Sequence, residues 1–318
     1  MRAAVRQILL SLCAVGLIAP PLGGQGDRAR AAVPVRITVL QGAATPASRE
    51  MLDGFRRRLE QLGKLSVITL VQTEGDAGTP PPTRAGNTGS ADLVLALGAR
   101  AASVAARDYR GTPAIGALVA RESALPGNSV AGSVVLEFAI ETELEWMHRL
   151  LPQARRIGVM YSSDENARLV TRARDIARGL GLEIIARRVS NPAEIPGALN
   201  ALAGSADALW GIADDVVLTP ETAKAMLLAS LRSRIPFVGL STQWARAGAV
   251  YALERDYADL GAQTAELATR MLDGGNGARQ NESVRPRKVT YALNIRSADL
   301  MRLSIPANLV RGAVEVYR

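Results

Sequence analysis

Two copies of one local pattern constrain this chain more than any other feature. Near its start, Val35-Arg36-Ile37-Thr38-Val39-Leu40 runs into the polar Gln41-Gly42-Ala43-Ala44-Thr45-Pro46. Roughly a domain length later, Arg156-Ile157-Gly158-Val159-Met160-Tyr161 runs into Ser162-Ser163-Asp164-Glu165-Asn166. Each is an apolar run of strand length followed by a turn and helix-capping residues. A strand-turn-helix start that recurs predicts two α/β lobes, each beginning anew. In such lobes the turns beyond the carboxyl ends of the strands form the binding crevice, so two facing lobes would make a clamp.

The remaining pattern fits that reading. A helix is predicted over 47–62, where Met51, Phe55, Leu59 and Leu62 share one face. Strands are predicted over 65–71 and 92–97, separated by a Gly/Pro/Thr-rich segment, 73–90, that cannot be helical. A helix over 99–109, a strand over 113–119 and an extended run over 130–136 complete the first lobe. The second lobe begins with a helix over 140–151. It then alternates strand and helix to a last long helix over 257–272, which predicts doubly wound, Rossmann-like lobes with parallel sheets. The expected boundaries are a first lobe over 32–130 with a crossing region over 126–139, a second lobe over 140–285, and a return crossing with the C-terminal segment over 286–318. Hinges are expected near 130 and 289.

Residues 1–31 read as a secretory signal peptide. Arg2 and Arg6 form the basic part, Ile8 to Ala19 the apolar part, and Ala29-Arg30-Ala31 a small-x-small cleavage site. The location expected is therefore periplasmic. Cys13, the single cysteine, sits within the apolar run behind a large Leu12, which argues against lipid anchoring. Cleavage after Ala31 would leave no thiol. The formal charge of +8 falls on loss of the leader, which holds four arginines and one aspartate. No dense basic run with interleaved aromatics remains, so a nucleic-acid partner is not expected. His148 is the single histidine, on an amphipathic helix, so neither a His-based catalytic set nor a His/Cys metal cluster can be assembled. No G-x-G-x-x-G or P-loop follows the first strand, and no cofactor is expected.

Three stretches carry a family resemblance. Pro126-Gly127-Asn128-Ser129-Val130-Ala131-Gly132 is similar to a P-G-x-N-V-T-G segment. Leu150-Leu151-Pro152, then Ala154-Arg155-Arg156-Ile157-Gly158-Val159-Met160-Tyr161, matches an L-L-P-x-A-K-R-I-G-V-x-Y run. Asn294-Ile295-Arg296-Ser297-Ala298, then Leu303-Ser304-Ile305-Pro306 and Leu309, resembles an N-L-x-x-A-x-x-L-G-x-x-I-P-x-x-L close. The combination resembles the ABC-transporter substrate-binding protein family with the type I periplasmic-binding-protein fold, in the branch that includes aromatic amino-acid binders. The likeness covers about 126–318. The first lobe departs from the pattern, with Gly98-Ala99-Arg100-Ala101 standing where the family has G-T-x-A. In the second lobe, Ser241-Thr242-Gln243 replaces a usual acidic residue.

The resemblance implies a monomeric exported solute-binding protein, not an enzyme. It would present a small polar ligand, an amino acid or other small carboxylate, to an ABC permease in the inner membrane. The alternative is a ligand-sensing or interaction module of the same fold, partnered by a sensor protein. The ligand-binding candidates are the strand-exit residues Gln41, Thr45, Gly98 and Ala99 in the first lobe, and Tyr161, Ser162, Ser163, Asn166, Asp214, Ser241 and Thr242 in the second. Ser162 and Ser163, at a helix N-terminus, suit an anion, although serine is also an ordinary cap. Asp214, at a position where the family has an aspartate, would receive a ligand ammonium or solvate its loop. Tyr161 would stack on a ring or simply pack.

Overall fold

The computed structural model describes residues 33–73, 91–127, 130–274 and 282–318. The two strand-turn-helix starts each open a lobe. The first lobe is built on β1 (Val35–Gln41), β2 (Ser66–Gln72), β3 (Leu93–Leu97), β4 (Ala114–Val119) and β5 (Gly132–Val135), with α1 (Pro46–Gln61) and α2 (Ala99–Asp108). The second contains α3 (Ile140–Leu150), β6 (Arg156–Tyr161), α4 (Asp164–Gly179), β7 (Glu183–Arg188), α5 (Ile195–Ala203), β8 (Ala208–Trp210), α6 (Pro220–Ser233), β9 (Phe237–Gly239), α7 (Thr242–Ala247) and β10 (Tyr251–Arg255). The chain then continues through α8 (Tyr257–Leu272), β11 (Glu282–Val284), β12 (Val289–Asn294), α9 (Ile295–Leu300), α10 (Ala307–Gly312) and β13 (Glu315–Tyr317).

The two sheets repeat one topology. The first runs β11-β5-β4-β3-β1-β2 and is parallel throughout; the second runs β13-β12-β10-β9-β8-β6-β7. In each lobe the opening strand lies second from one edge, so the winding direction reverses between β1 and β3 and again between β6 and β8. Those reversals are where ligand crevices form in open parallel sheets. The predicted α/β architecture is therefore present. One strand departs from the expected parallel arrangement, since β12 pairs antiparallel with β10. β3 is buried at all five positions, as a strand covered on both faces must be.

The expected boundaries need correction. The helix 257–272 was expected in the second lobe, but α8 packs along α1 of the first. Two glycines make this possible. A Cβ on Gly54 would lie 2.0 Å from the Ala258 carbonyl oxygen, and one on Gly261 would lie 2.0 Å from that of Met51. The helix backbones thus touch where side chains would otherwise hold them apart. β11 likewise joins the first sheet, beside β5. The chain therefore crosses between lobes three times, at 136–139, within the expected crossing region 126–139, at 285–288, beside the expected return at 286, and at Asp256, which was not expected. The alternation of strands and helices located α8 but not its partner, α1, about 200 residues earlier in the chain.

The crossings are laced to one another. Arg255 donates from Nε to the Leu136 carbonyl at 2.8 Å and from one terminal nitrogen to the Leu240 carbonyl at 2.9 Å. Its guanidinium also lies over the Phe138 ring, 4.8 Å from the centroid. Lys288 pairs with Asp256, which caps α8, and Arg285 lies 3.6 Å from Glu137.

Replacing Gly261 by alanine should force α1 and α8 apart, costing about 1–3 kcal/mol and lowering the thermal midpoint by several degrees in a calorimetric scan. Gly197→Ala is the contrast. Gly197 is exposed within α5 with open space around it, so alanine should stabilise by roughly 0.5–1 kcal/mol.

Candidate functional site

The exits of β6 and β8 meet on the Asp214 side chain. Ser162 donates to it twice, from its backbone N–H to Oδ2 at 2.7 Å and from Oγ to Oδ1 at 2.8 Å. The Asn166 amide donates to Oδ2 at 2.8 Å, and the Val216 and Val217 N–H groups both reach Oδ1 at 3.0 Å. A carboxylate offers about four acceptor positions, so these five donors fill it. Burial alone would raise its pKa. The donors from Val217, Ser162, Asn166 and Val216 outweigh that effect and hold the carboxyl at about 2. Asp214 therefore organises the crevice, and its acceptors are already committed to the protein rather than to a ligand ammonium.

That carboxylate fixes Asn166, which is 1% exposed. Its Nδ2 also donates to the Ala213 carbonyl at 3.0 Å, and its backbone N–H donates to the cap hydroxyl of Ser163 at 3.1 Å. With Nδ2 held inward, Oδ1 points to the first lobe, where Arg121 donates to it at 3.2 Å. The same guanidinium donates to the Ala213 carbonyl at 2.6 Å and lies 3.5 Å from Glu165. Ser123 donates to the other Glu165 oxygen at 2.7 Å. The carboxyl ends of the two sheets thus face each other and touch through this segment.

The candidates fall into four groups. Ser162, Ser163, Asn166 and Asp214 form one network. Tyr161 is half-buried and packs against the core of the second lobe. Ser241 precedes α7, and Thr242 donates from both N and Oγ1 to Glu254 Oε2, at 3.1 and 2.9 Å. In the first lobe, Gln41 is 5% exposed and its Oε1 has no protein partner among the described residues. Thr45 caps α1 through a reciprocal pair with Ser48, at 3.1 and 2.9 Å. Gly98, at φ 96° with open space beside its Cα, leads into α2, which starts at Ala99.

Sequence reading missed Arg121, Glu165 and the crossing residue Arg255. It also missed Glu143, whose carboxylate accepts from the Trp210 indole at 2.6 Å. Burial pushes Glu143 up to about 7, against the opposing effects of the Trp210 bond and the Arg255 charge. A cavity of about 30 Å³ lies beside it, lined by Tyr251, Trp210, Phe138 and Arg255. The fully buried Tyr251 hydroxyl there has no protein partner among the described residues. Two open grooves flank the lobes. One of about 600 Å³ includes Arg121, Glu137 and Glu165; one of about 580 Å³ includes Glu50, Thr242 and Tyr257. Among the described residues no group of His, Cys, Asp and Glu is arranged to hold a metal, and no helix is long and apolar enough to cross a membrane.

Two like lobes with facing crevices and three crossings define the type I periplasmic-binding class of solute-binding proteins. The family described as "ABC transporter substrate binding protein" matches residues 103–317, and the chain belongs to it. A tyrosine-binding protein of Clostridioides difficile is 28% identical over 153 residues, covering 47% of this chain and 43% of its own length. The chain thus matches less than half the length of that curated relative. The ligand-free, open structure of a substrate binding protein with adhesive properties from Clostridium difficile has a TM-score of 0.66 at 19% identity, covering 89% of this chain and 99% of that one. A Streptococcus pneumonia ABC domain in complex with L-Trp has a TM-score of 0.53 at 20% identity, covering 88% and 99%. At these identities the two structures speak to the fold.

The two carboxyls should give opposite pH signatures in denaturant titrations. Asp214, depressed from 3.8 to about 2, contributes roughly 2 kcal/mol that is present above about pH 4 and lost as pH falls towards 2. Asp214→Asn should remove that dependence and destabilise the fold by at least that amount, since an amide nitrogen then faces N–H donors. Glu143 keeps its proton in the folded state up to about pH 7, whereas the unfolded chain releases it near 4.5. Its contribution therefore declines as pH rises from 4.5 to 7 and is flat above. Glu143→Gln should abolish that decline and leave the variant more stable than the parent at pH 8.

Proposed function

We propose that this chain is the exported receptor of an ABC import system, closing its two lobes over a small polar ligand and presenting it to an inner-membrane permease. The observation that carries the reading is the apposition of both switch-point crevices. Ser162, Asn166 and Asp214 on one lobe face the β4 exit on the other, within a family of substrate-binding proteins. Three crossings allow the lobes to pivot as rigid bodies, the usual way such clefts enclose a ligand. Enclosure supplies affinity by desolvating the ligand while a few fixed polar groups orient it.

The ligand class proposed is an amino acid or another small carboxylate. Support comes from the tyrosine-binding relative and the L-Trp-bound fold neighbour. In the first lobe, Gln41, Thr45 and the Gly98-Ala99 turn supply polar and backbone groups facing the cleft; in the second, Ser162, Ser163, Ser241 and Thr242 supply hydroxyls. The basic and apolar residues of 1–31, which lie outside the described residues, are proposed to be a cleaved export signal delivering a monomer to the periplasm.

Titration calorimetry with the twenty amino acids, L-tyrosine and L-tryptophan first, should show saturable one-to-one binding with a negative heat-capacity change. Small-angle scattering should show the radius of gyration unchanged or smaller on saturation, never larger. Failure of every amino acid and small carboxylate tried to bind would reject the ligand class. N-terminal sequencing of the exported chain should begin at Ala32.

A further inference from the structure

We propose that Arg121 is the closing latch of the cleft, a first-lobe guanidinium that seats in a socket prebuilt on the second lobe and sets how readily the lobes part. The proposal deepens the receptor reading, because it assigns control of the open-closed equilibrium to one contact.

The socket is built without the first lobe. Asn166 is oriented by Asp214, by the Ala213 carbonyl and by the Ser163 cap, all on the second lobe. Its Oδ1 and the Ala213 carbonyl therefore form a fixed pair of acceptors pointing outward, with the Glu165 carboxylate beside them. Arg121 meets all three, at 3.2, 2.6 and 3.5 Å. A planar guanidinium suits this set because its donors diverge from a fixed plane, whereas an ammonium is a compact point charge. Ser123 adds a second contact, to Glu165 at 2.7 Å.

The first lobe is shaped to deliver the plug. Leu118 adopts φ 54°, a left-handed conformation uncommon for a residue other than glycine. The β4–β5 register shifts at that same place, between Ala117 and Val119. A bulge at a strand end re-aims the chain beyond it. Here the re-aimed residues are Ala120, Arg121 and the short turn Glu122–Ala124. Strained backbone maintained at this point marks the direction of the segment as a feature the surrounding fold enforces. Arg121 is only 17% exposed along its side chain, so the seated guanidinium is largely shielded from salt and water.

Arg255 is tied to the crossings and Arg285 to Glu137. Those contacts lie at the crossings themselves. Arg121 follows Ala120, whose carbonyl accepts from the Glu137 N–H of the first crossing at 3.0 Å. Its own guanidinium bonds groups at the exits of β6 and β8, so separation of those exits from β4 must break the contact. Breaking it leaves Asn166 Oδ1 without its protein donor, so a ligand donor seated in the cleft competes for the same acceptor.

The test uses the purified full chain. Arg121→Ala, Arg121→Lys and Glu165→Gln are compared with the parent by small-angle scattering without added solute, with circular dichroism confirming the fold of each. Loss of contacts to a charged group predicts a roughly ten- to hundred-fold rise in the open-to-closed ratio for Arg121→Ala, seen as a larger radius of gyration. Glu165→Gln should shift it less, and Arg121→Lys should recover part of the parent value. A second arm follows L-tyrosine and L-tryptophan release by tryptophan fluorescence, where Arg121→Ala should alter the dissociation rate by a comparable factor. Identical radii for the parent and a folded Arg121→Ala would overturn the latch, as would a lysine variant no different from alanine. If neither amino acid binds the parent, the ligand class fails, and the scattering arm still decides the latch.

Discussion

The crevice of the second lobe depends on one filled carboxylate. Asp214 sits at the end of β8 but collects donors from the end of β6, from α4 and from its own succeeding turn. A buried carboxylate is costly unless nearly every lone pair is used, and here every acceptor position is. The consequence is rigidity. Ser162 cannot turn, Asn166 cannot flip, and the Ala213 carbonyl is left facing the other lobe. A site assembled this way is oriented by groups of the second lobe alone.

The second constraint is the pairing of α1 with α8. By sequence order α8 comes after β10 and would extend the second lobe. By packing it belongs to the first, because Gly54 and Gly261 let the two helix backbones touch. Surface pairs reinforce the arrangement, with Arg58 and Arg287 both meeting Glu266 and Arg287 also meeting Asp259. Moving this helix across makes the second crossing, and with it the pivot. Two crossings alone would leave a loose connection. The third is tied to the second by the Lys288–Asp256 pair, as the second is tied to the first by Arg255 on the Leu136 carbonyl.

The features legible in the sequence were local ones. The two strand-turn-helix starts were readable because apolar runs, turns and caps are encoded within a few residues. The motif matches around Leu150–Tyr161 and Asn294–Leu309 correctly pointed to the family now shown. Residues whose role depends on distant partners were not readable. Asp214 stood out, yet its saturation by donors from Ser162 and Asn166, some fifty positions away, could not be inferred. Arg121 carried no signal at all, since its direction is set by the backbone turn at Leu118. Glu143 stands in the first turn of α3, an ordinary helix-stabilising place for an acid, and only the packing of Trp210 against it reveals a buried carboxyl.

The chain is rich in arginine and poor in lysine, a bias that the base composition of a genome can supply without any functional cause. The structure nonetheless gives it a use. At the crossings and the lobe contact, arginine meets backbone carbonyls as well as acids. Arg255 reaches Leu136 and Leu240, and Arg121 reaches Ala213. A carbonyl at the end of a strand has lost its ladder partner and needs a donor delivered at a set angle. A guanidinium can serve two such carbonyls from one plane and still stack on a ring, as Arg255 does on Phe138. An ammonium can serve them only by giving up that geometry. Whatever supplied the arginines, the fold uses these two where separate strand exits must be joined, and those are the places where the lobes meet and turn.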